Sequence, residues 1–87
     1  MKVSVWDTYV QRHDDKVMHF DIIVASDLMD EKIVFGFGQE YLKAKQIQSA
    51  GITTKECRFC HIEQATDQMI TQIEQQGYYI LEMENCN

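Results

Sequence analysis

The sequence predicts an α+β domain: a four-stranded mixed sheet, in the chain order ββαβαβ, with two helices packed on one face. Three observations predict it. Two stretches rich in β-branched and aromatic residues, 2–10 and 16–25, are separated by a polar loop. Two later segments, 28–48 and 67–76, carry apolar residues at three- and four-residue spacing, and between and after them residues 56–64 and 78–84 return to an extended pattern. The chain has 87 residues. That suffices for one domain, 1–87, because a chain this size buries only about 60–65% of its unfolded surface.

The first strand places Val3, Val5 and Tyr9 on one side and Ser4, Trp6 and Thr8 on the other. Gln11 to Asp15 contains no glycine, which predicts a four- or five-residue hairpin loop built on a type I turn. The second strand puts Met18, Phe20, Ile22 and Val24 on its buried face and Val17, His19, Asp21 and Ile23 on the other. Asp27 is the expected cap of the first helix, and Ile33, Val34, Phe37, Tyr41 and Ala44 form its apolar stripe. Gly36 and Gly38 interrupt that stripe, which predicts close approach of helix and sheet; Gly51 ends the segment. Thr66 caps the second helix and Gly77 stops it. In the last strand Tyr79, Leu81 and Met83 face one way, and Tyr78, Ile80, Glu82 and Glu84 the other.

Composition narrows the class. Hydrophobic residues make up 45% and charged residues 25%, the balance of an ordinary globule rather than a disordered chain. A net charge of −6 opposes binding to a phosphate backbone, so no nucleic acid is expected as a partner. No apolar run reaches the length of a membrane span, so no membrane is expected either. The opening residues read as a strand and not as a secretory leader, so a cytoplasmic protein is expected. Three cysteines in a reducing compartment then argue for free thiols or a metal and not for a disulfide scaffold, and free thiols are the expectation.

The chemistry concentrates in Cys57-Arg58-Phe59-Cys60-His61. Its spacing suits haem attachment, zinc ligation or dithiol redox chemistry. Haem attachment needs export, and redox chemistry needs the first cysteine at a helix N-terminus. Thr53-Thr54-Lys55-Glu56 spells a capping box, so a helix beginning at Thr54 is the alternative to a strand. Such a helix would run into the Thr66 cap and remove the strand between the helices, so a strand is preferred. On a regular strand Cys57, Phe59, His61 and Glu63 share one face, and Arg58, Cys60, Ile62 and Gln64 the other. The two sulfurs then diverge and grip no common ion. Cys86, near the end, reads as an exposed thiol.

A family resemblance runs along the chain. Trp6-Asp7-Thr8-Tyr9-Val10, Met18-His19-Phe20-Asp21, Gly38-Gln39-Glu40-Tyr41-Leu42, Lys55-Glu56-Cys57-Arg58-Phe59-Cys60-His61 with Glu63-Gln64-Ala65, and Gly77-Tyr78-Tyr79-Ile80 carry it. Together they resemble the bacterial family designated domain of unknown function twenty twenty-four. The resemblance implies a compact α+β bacterial domain and carries over no functional residue.

The functional expectation rests on the face predicted to be free of helices. Trp6, His19, Asp21, Cys57, His61 and Tyr78 are expected there as a candidate ligand site. The leading reading is a non-catalytic module that binds or self-associates through this face. The partner is a second copy in a homodimer, or a protein or small molecule that the residues do not specify. The alternative is a small-molecule or metal-dependent enzyme built around His19, Asp21, Cys57 and His61. No cofactor is expected, and no metal; Cys57, His61 and His19 are the residues nearest to a ligand set.

Overall fold

The computed structural model describes residues 1–47 and 57–86. Its elements are β1 (Lys2–Gln11), β2 (Val17–Ala25), α1 (Glu31–Ala44), β3 (Cys57–Gln64), α2 (Asp67–Gln76) and β4 (Tyr79–Glu84). The α+β class and the order ββαβαβ are those the sequence predicts. Among the described residues no helix is long and apolar enough to cross a membrane.

The sheet order is β3-β1-β2-β4. Every neighbouring pair is antiparallel, which corrects the expected mixed sheet. The reason lies in strand order. β2 and β3, joined through α1, run in the same direction, but β1 sits between them and pairs with both chain directions reversed. No parallel pair forms among the described strands.

The helices also differ from expectation, because they lie on opposite faces. Trp6, Val10, Met18, Phe20, Ile22 and Val24 pack with Val34 and Leu42 of α1. Val3, Val5 and Ile23 pack with Met69 and Ile73 of α2. Alternation along β1 and β2 sends these two sets to opposite sides, so both central strands are buried on two faces. Ser4 and Thr8, expected on an open face, are fully buried beneath α1. Their hydroxyls stay satisfied: Trp6 Nε1 donates to Ser4 Oγ at 3.3 Å, and Thr8 Oγ1 donates to the Trp6 carbonyl at 3.4 Å.

Asp30, not Asp27, caps α1; its carboxylate accepts from the Lys32 amide at 2.9 Å. The helix stops at Ala44, and its buried residues are Val34, Gly38 and Leu42, while Ile33 is exposed. A Cβ on Gly36 would meet nothing within 4 Å, so close approach does not explain that glycine. The expected stop at Gly51 and the capping box at 53–56 fall outside the described residues.

α2 begins and ends where the sequence predicts. Thr66 Oγ1 accepts from the Met69 amide, and Gly77 caps the C-terminus at φ 95°. Its position decides where the free surface lies. Gln64 pairs with Lys2, and Tyr79 pairs with Ile23, so α2 joins β3 to β4 at one end of the sheet. Ten residues make a helix of about 15 Å, matching the roughly 14 Å across three strand spacings. The helix therefore crosses the strands instead of running along them. α2 covers one half of the sheet face, at Val3, Val5 and Ile23, and neither described helix packs over the half carrying Asp7, Tyr9, His19 and Asp21.

Candidate functional site

The hairpin brings the site together. Residues 12–16 connect β1 to β2, Asp15 takes a left-handed conformation at φ 67°, and the Arg12 amide donates to the Lys16 carbonyl. This symmetric connection pairs Asp7 with Asp21 and Tyr9 with His19, directly opposite on the face that carries Val5 and Ile23. Aspartate is disfavoured in central strands, so two facing each other there call for a reason beyond folding.

His19 Nε2 lies 3.7 Å from Asp7 Oδ1 and 3.7 Å from Asp21 Oδ1. These separations are too long for hydrogen bonds. Neither His19 Nε2 nor Asp21 Oδ1 has a hydrogen-bond partner, although both atoms are buried. Asp21 is 9% exposed. One donor atom from each of Asp7, His19 and Asp21 can be chosen so that all three lie within 4.8 Å of one another.

A stacked ring holds the His19 imidazole, and a thiol holds the His19 backbone. Tyr9 stacks on the imidazole with ring centroids 4.3 Å apart and planes 9° from parallel. Behind it, the buried Cys86 thiol donates to the His19 carbonyl at 3.3 Å, so Cys86 is part of the core and not an exposed end. Burial, then the hydrogen bond and charge of Asp7, push the Asp21 carboxyl up to about 6 against the opposing pull of His19 and His61. Asp21 therefore keeps its proton well above the ordinary aspartate range.

The third strand adds to this face. β3 pairs Val5 with His61 but Trp6 with Phe59, so Cys60 is an extra residue in a β-bulge. The bulge breaks the regular alternation expected of this strand: Phe59 sits against Trp6 on the α1 side, and His61 lies opposite Val5 on the site's side. Cys60 Sγ is 3.2 Å from His61 Nδ1, and His61 Nε2 is 3.1 Å from Glu63 Oε1. Desolvation, together with the Asp7 and Asp21 carboxylates, raises the Cys60 thiol above its ordinary value.

Of the six residues expected in the site, His19, Asp21 and His61 come to one face. Trp6 and Tyr78 do not; both are buried in the α1-side core, Trp6 at 2% exposure and Tyr78 stacked on Phe37. Cys57 pairs with Thr8 through its backbone, and its side chain falls outside the described residues. Asp7, Tyr9 and Cys60 belong to the site and were missed. A signal for the first two was present. A connection centred on Asp14 pairs residues whose numbers sum to 28, which sets Asp7 against Asp21 and Tyr9 against His19 and excludes Trp6 from that face. Nothing in the residues themselves announces the bulge that redirects Cys60.

Fold and site together define a small α+β domain with a carboxylate–imidazole cluster on a half of the sheet face over which neither described helix packs. The chain belongs to the family described as Domain of unknown function (DUF2024), whose model matches residues 1–83. It is similar to the NMR structure of protein NE1680 from Nitrosomonas europaea, at 44% identity over 100% of each chain, with a TM-score of 0.87. No curated protein matches it.

Proposed function

We propose that this protein is a binding module that takes a divalent transition-metal ion at Asp7, His19 and Asp21. One observation carries the reading: a buried imidazole nitrogen and a buried carboxylate oxygen point at the same space, 3.7 Å apart, with neither hydrogen-bonded. A buried polar atom without a partner costs about 1–3 kcal/mol, so the arrangement is stable only if something compensates it. A tetrahedral ion with ligands at about 2.1 Å holds its donors about 3.4 Å apart, close to the spacing here. Imidazole nitrogen and carboxylate oxygen are both donors that such ions accept. The ring clamp by Tyr9 supports the reading, because a ligating histidine must keep its orientation.

The test is calorimetric titration of chelator-stripped, tag-free protein with zinc and with cobalt(II). Binding of one ion per chain is expected, with His19→Ala abolishing it and Tyr9→Leu weakening it. A wild-type protein that takes up neither ion removes the proposal.

A further inference from the structure

β3 and β4 are the outer strands among those described, and their edges differ in charge. β4 carries Glu82 and Glu84 and no basic residue, so pairing it with a second copy of itself would bring carboxylates together. β3 carries Arg58 near its start and Glu63 near its end, and its side chains from Arg58 to Gln64 are exposed. The bulge gives this edge an internal symmetry. Phe59 pairs with Trp6 and Ile62 with Ser4, so both lie on the α1 side; Arg58 pairs with Asp7, His61 with Val5 and Glu63 with Val3, so these three lie on the other. Without the extra residue at Cys60, positions 59 and 62 would point to opposite faces. In ladder order the edge runs Arg58, Phe59, His61, Ile62, Glu63, with opposite charges at its ends on one face and the two apolar residues together on the other. The backbone follows the same order. The Ala65 amide donates to the Met1 carbonyl, so in the alternating antiparallel pattern Gln64 and Ile62 turn their backbone groups away from β1, and so does Phe59, two ladder positions from Ile62.

We propose that a second copy of this chain pairs antiparallel with β3, about a two-fold axis at His61, and joins the two sheets into one. Arg58 then lies opposite the partner's Glu63, and Phe59 opposite the partner's Ile62; by symmetry each contact occurs twice. The outward backbone groups of Phe59 and Ile62 meet in the same register and form the new ladder. Phe59 is 40% and Ile62 51% exposed, and Phe59 already tilts against the buried Trp6, so pairing covers an apolar patch continuous with the α1-side core. The charges complement without displacing what holds them now. A guanidinium has five donors and can add a carboxylate to the interactions Arg58 makes within its own chain, and Glu63, which meets His61 through Oε1, can accept at either oxygen. A bulge on an outer strand often prevents pairing, but here it is the step that makes the edge self-complementary. The inference uses none of Asp7, His19 and Asp21 and stands apart from the metal-binding reading.

Sedimentation equilibrium of the full chain, with chelator and a thiol reductant present, tests the pairing from low to high micromolar concentration. The mass is expected to rise from that of one chain to that of two and to stop there. Arg58→Glu and Glu63→Arg each set like charges opposite one another twice per dimer and are expected to weaken association by roughly 10-fold or more. The double variant restores opposite charges in reversed order and is expected to recover it. Ile62→Lys is expected to give a monomer with the far-ultraviolet circular dichroism of the wild type. A wild type that stays monomeric at high micromolar concentration overturns the proposal, as do single charge reversals without effect, a double variant no better than the singles, or a folded Ile62→Lys that remains a dimer. A mass that keeps growing with concentration also overturns it, because that is the behaviour of β3 pairing with β4 of the next copy in an open chain.

Discussion

Asp7 and Asp21 lie directly opposite each other on the two central strands, each within 3.7 Å of the same histidine nitrogen. Sheet interiors normally pair apolar or complementary side chains across strands. Two carboxylates in that relationship favour a proton or a cation between them, and the consequences for stability can be measured.

Replacing Asp21 by asparagine should stabilise the metal-free protein at neutral pH. The folded-state carboxyl is raised from an ordinary 3.8 to about 6. The folded protein therefore holds the proton more tightly than the unfolded one, and stability falls as pH rises from about 4 to about 6. Asp7, Tyr9, His19, Arg58, Cys60, His61 and Glu63 are among the titratable groups of this face. Asparagine carries no charge to desolvate, so urea unfolding at pH 7 should show a gain of order 1–3 kcal/mol. A variant less stable than wild type at pH 7 would contradict the account.

Trp6→Ala should destabilise the fold by about 3–5 kcal/mol, the range for deleting a large buried aromatic ring. Trp6 is 2% exposed and tilted against Phe59 at 5.9 Å between centroids. Denaturant midpoints test this directly. A near-neutral effect would mean that the ring is on the surface after all.

Gly77→Ala should cost about 1–2 kcal/mol, because φ 95° disfavours any side chain and the added Cβ would approach Phe37 Cζ to 3.2 Å. Pairing it with Phe37→Leu relieves the contact but not the backbone strain. Thermal melts of the two single variants and the double variant separate these contributions.

Glu82 ties β4 to α1. Its carboxylate accepts from the Tyr41 hydroxyl and from Lys45 Nζ at 2.6 Å. Lys45 first, and then Tyr41, hold this carboxyl below its ordinary value. A lowered folded-state value means that the stabilisation is present above the unfolded value of about 4.5 and is lost as pH falls below it. Glu82→Gln should flatten the acid side of the stability profile between about pH 5 and 3. Because the side chain is 45% exposed, the effect is expected to be small and to shrink in salt.

Much of the architecture was legible residue by residue. Met18, Phe20, Ile22 and Val24 are fully buried as their alternation implies, and Thr66 and Gly77 bound α2 because a cap and a left-handed stop are local requirements. The start of α1 was displaced from Asp27 to Asp30, since several acidic residues compete there for one capping position. Half of the candidate site was also visible: His19 and Asp21 stand out as polar residues in an apolar strand.

The chain by itself determined which segments are extended, which are helical and which residues of each strand share a side, because those properties depend on periods of 2 and 3.6 residues. Only the tertiary structure decided which sides of different strands coincide. Strand order put β1 between β2 and β3, the crossing of a short helix set which half-face the described helices cover, and a single extra residue in β3 broke the alternation around Cys60. Those outcomes depend on pairing between distant residues, and a one-residue change in register reverses every side chain beyond it.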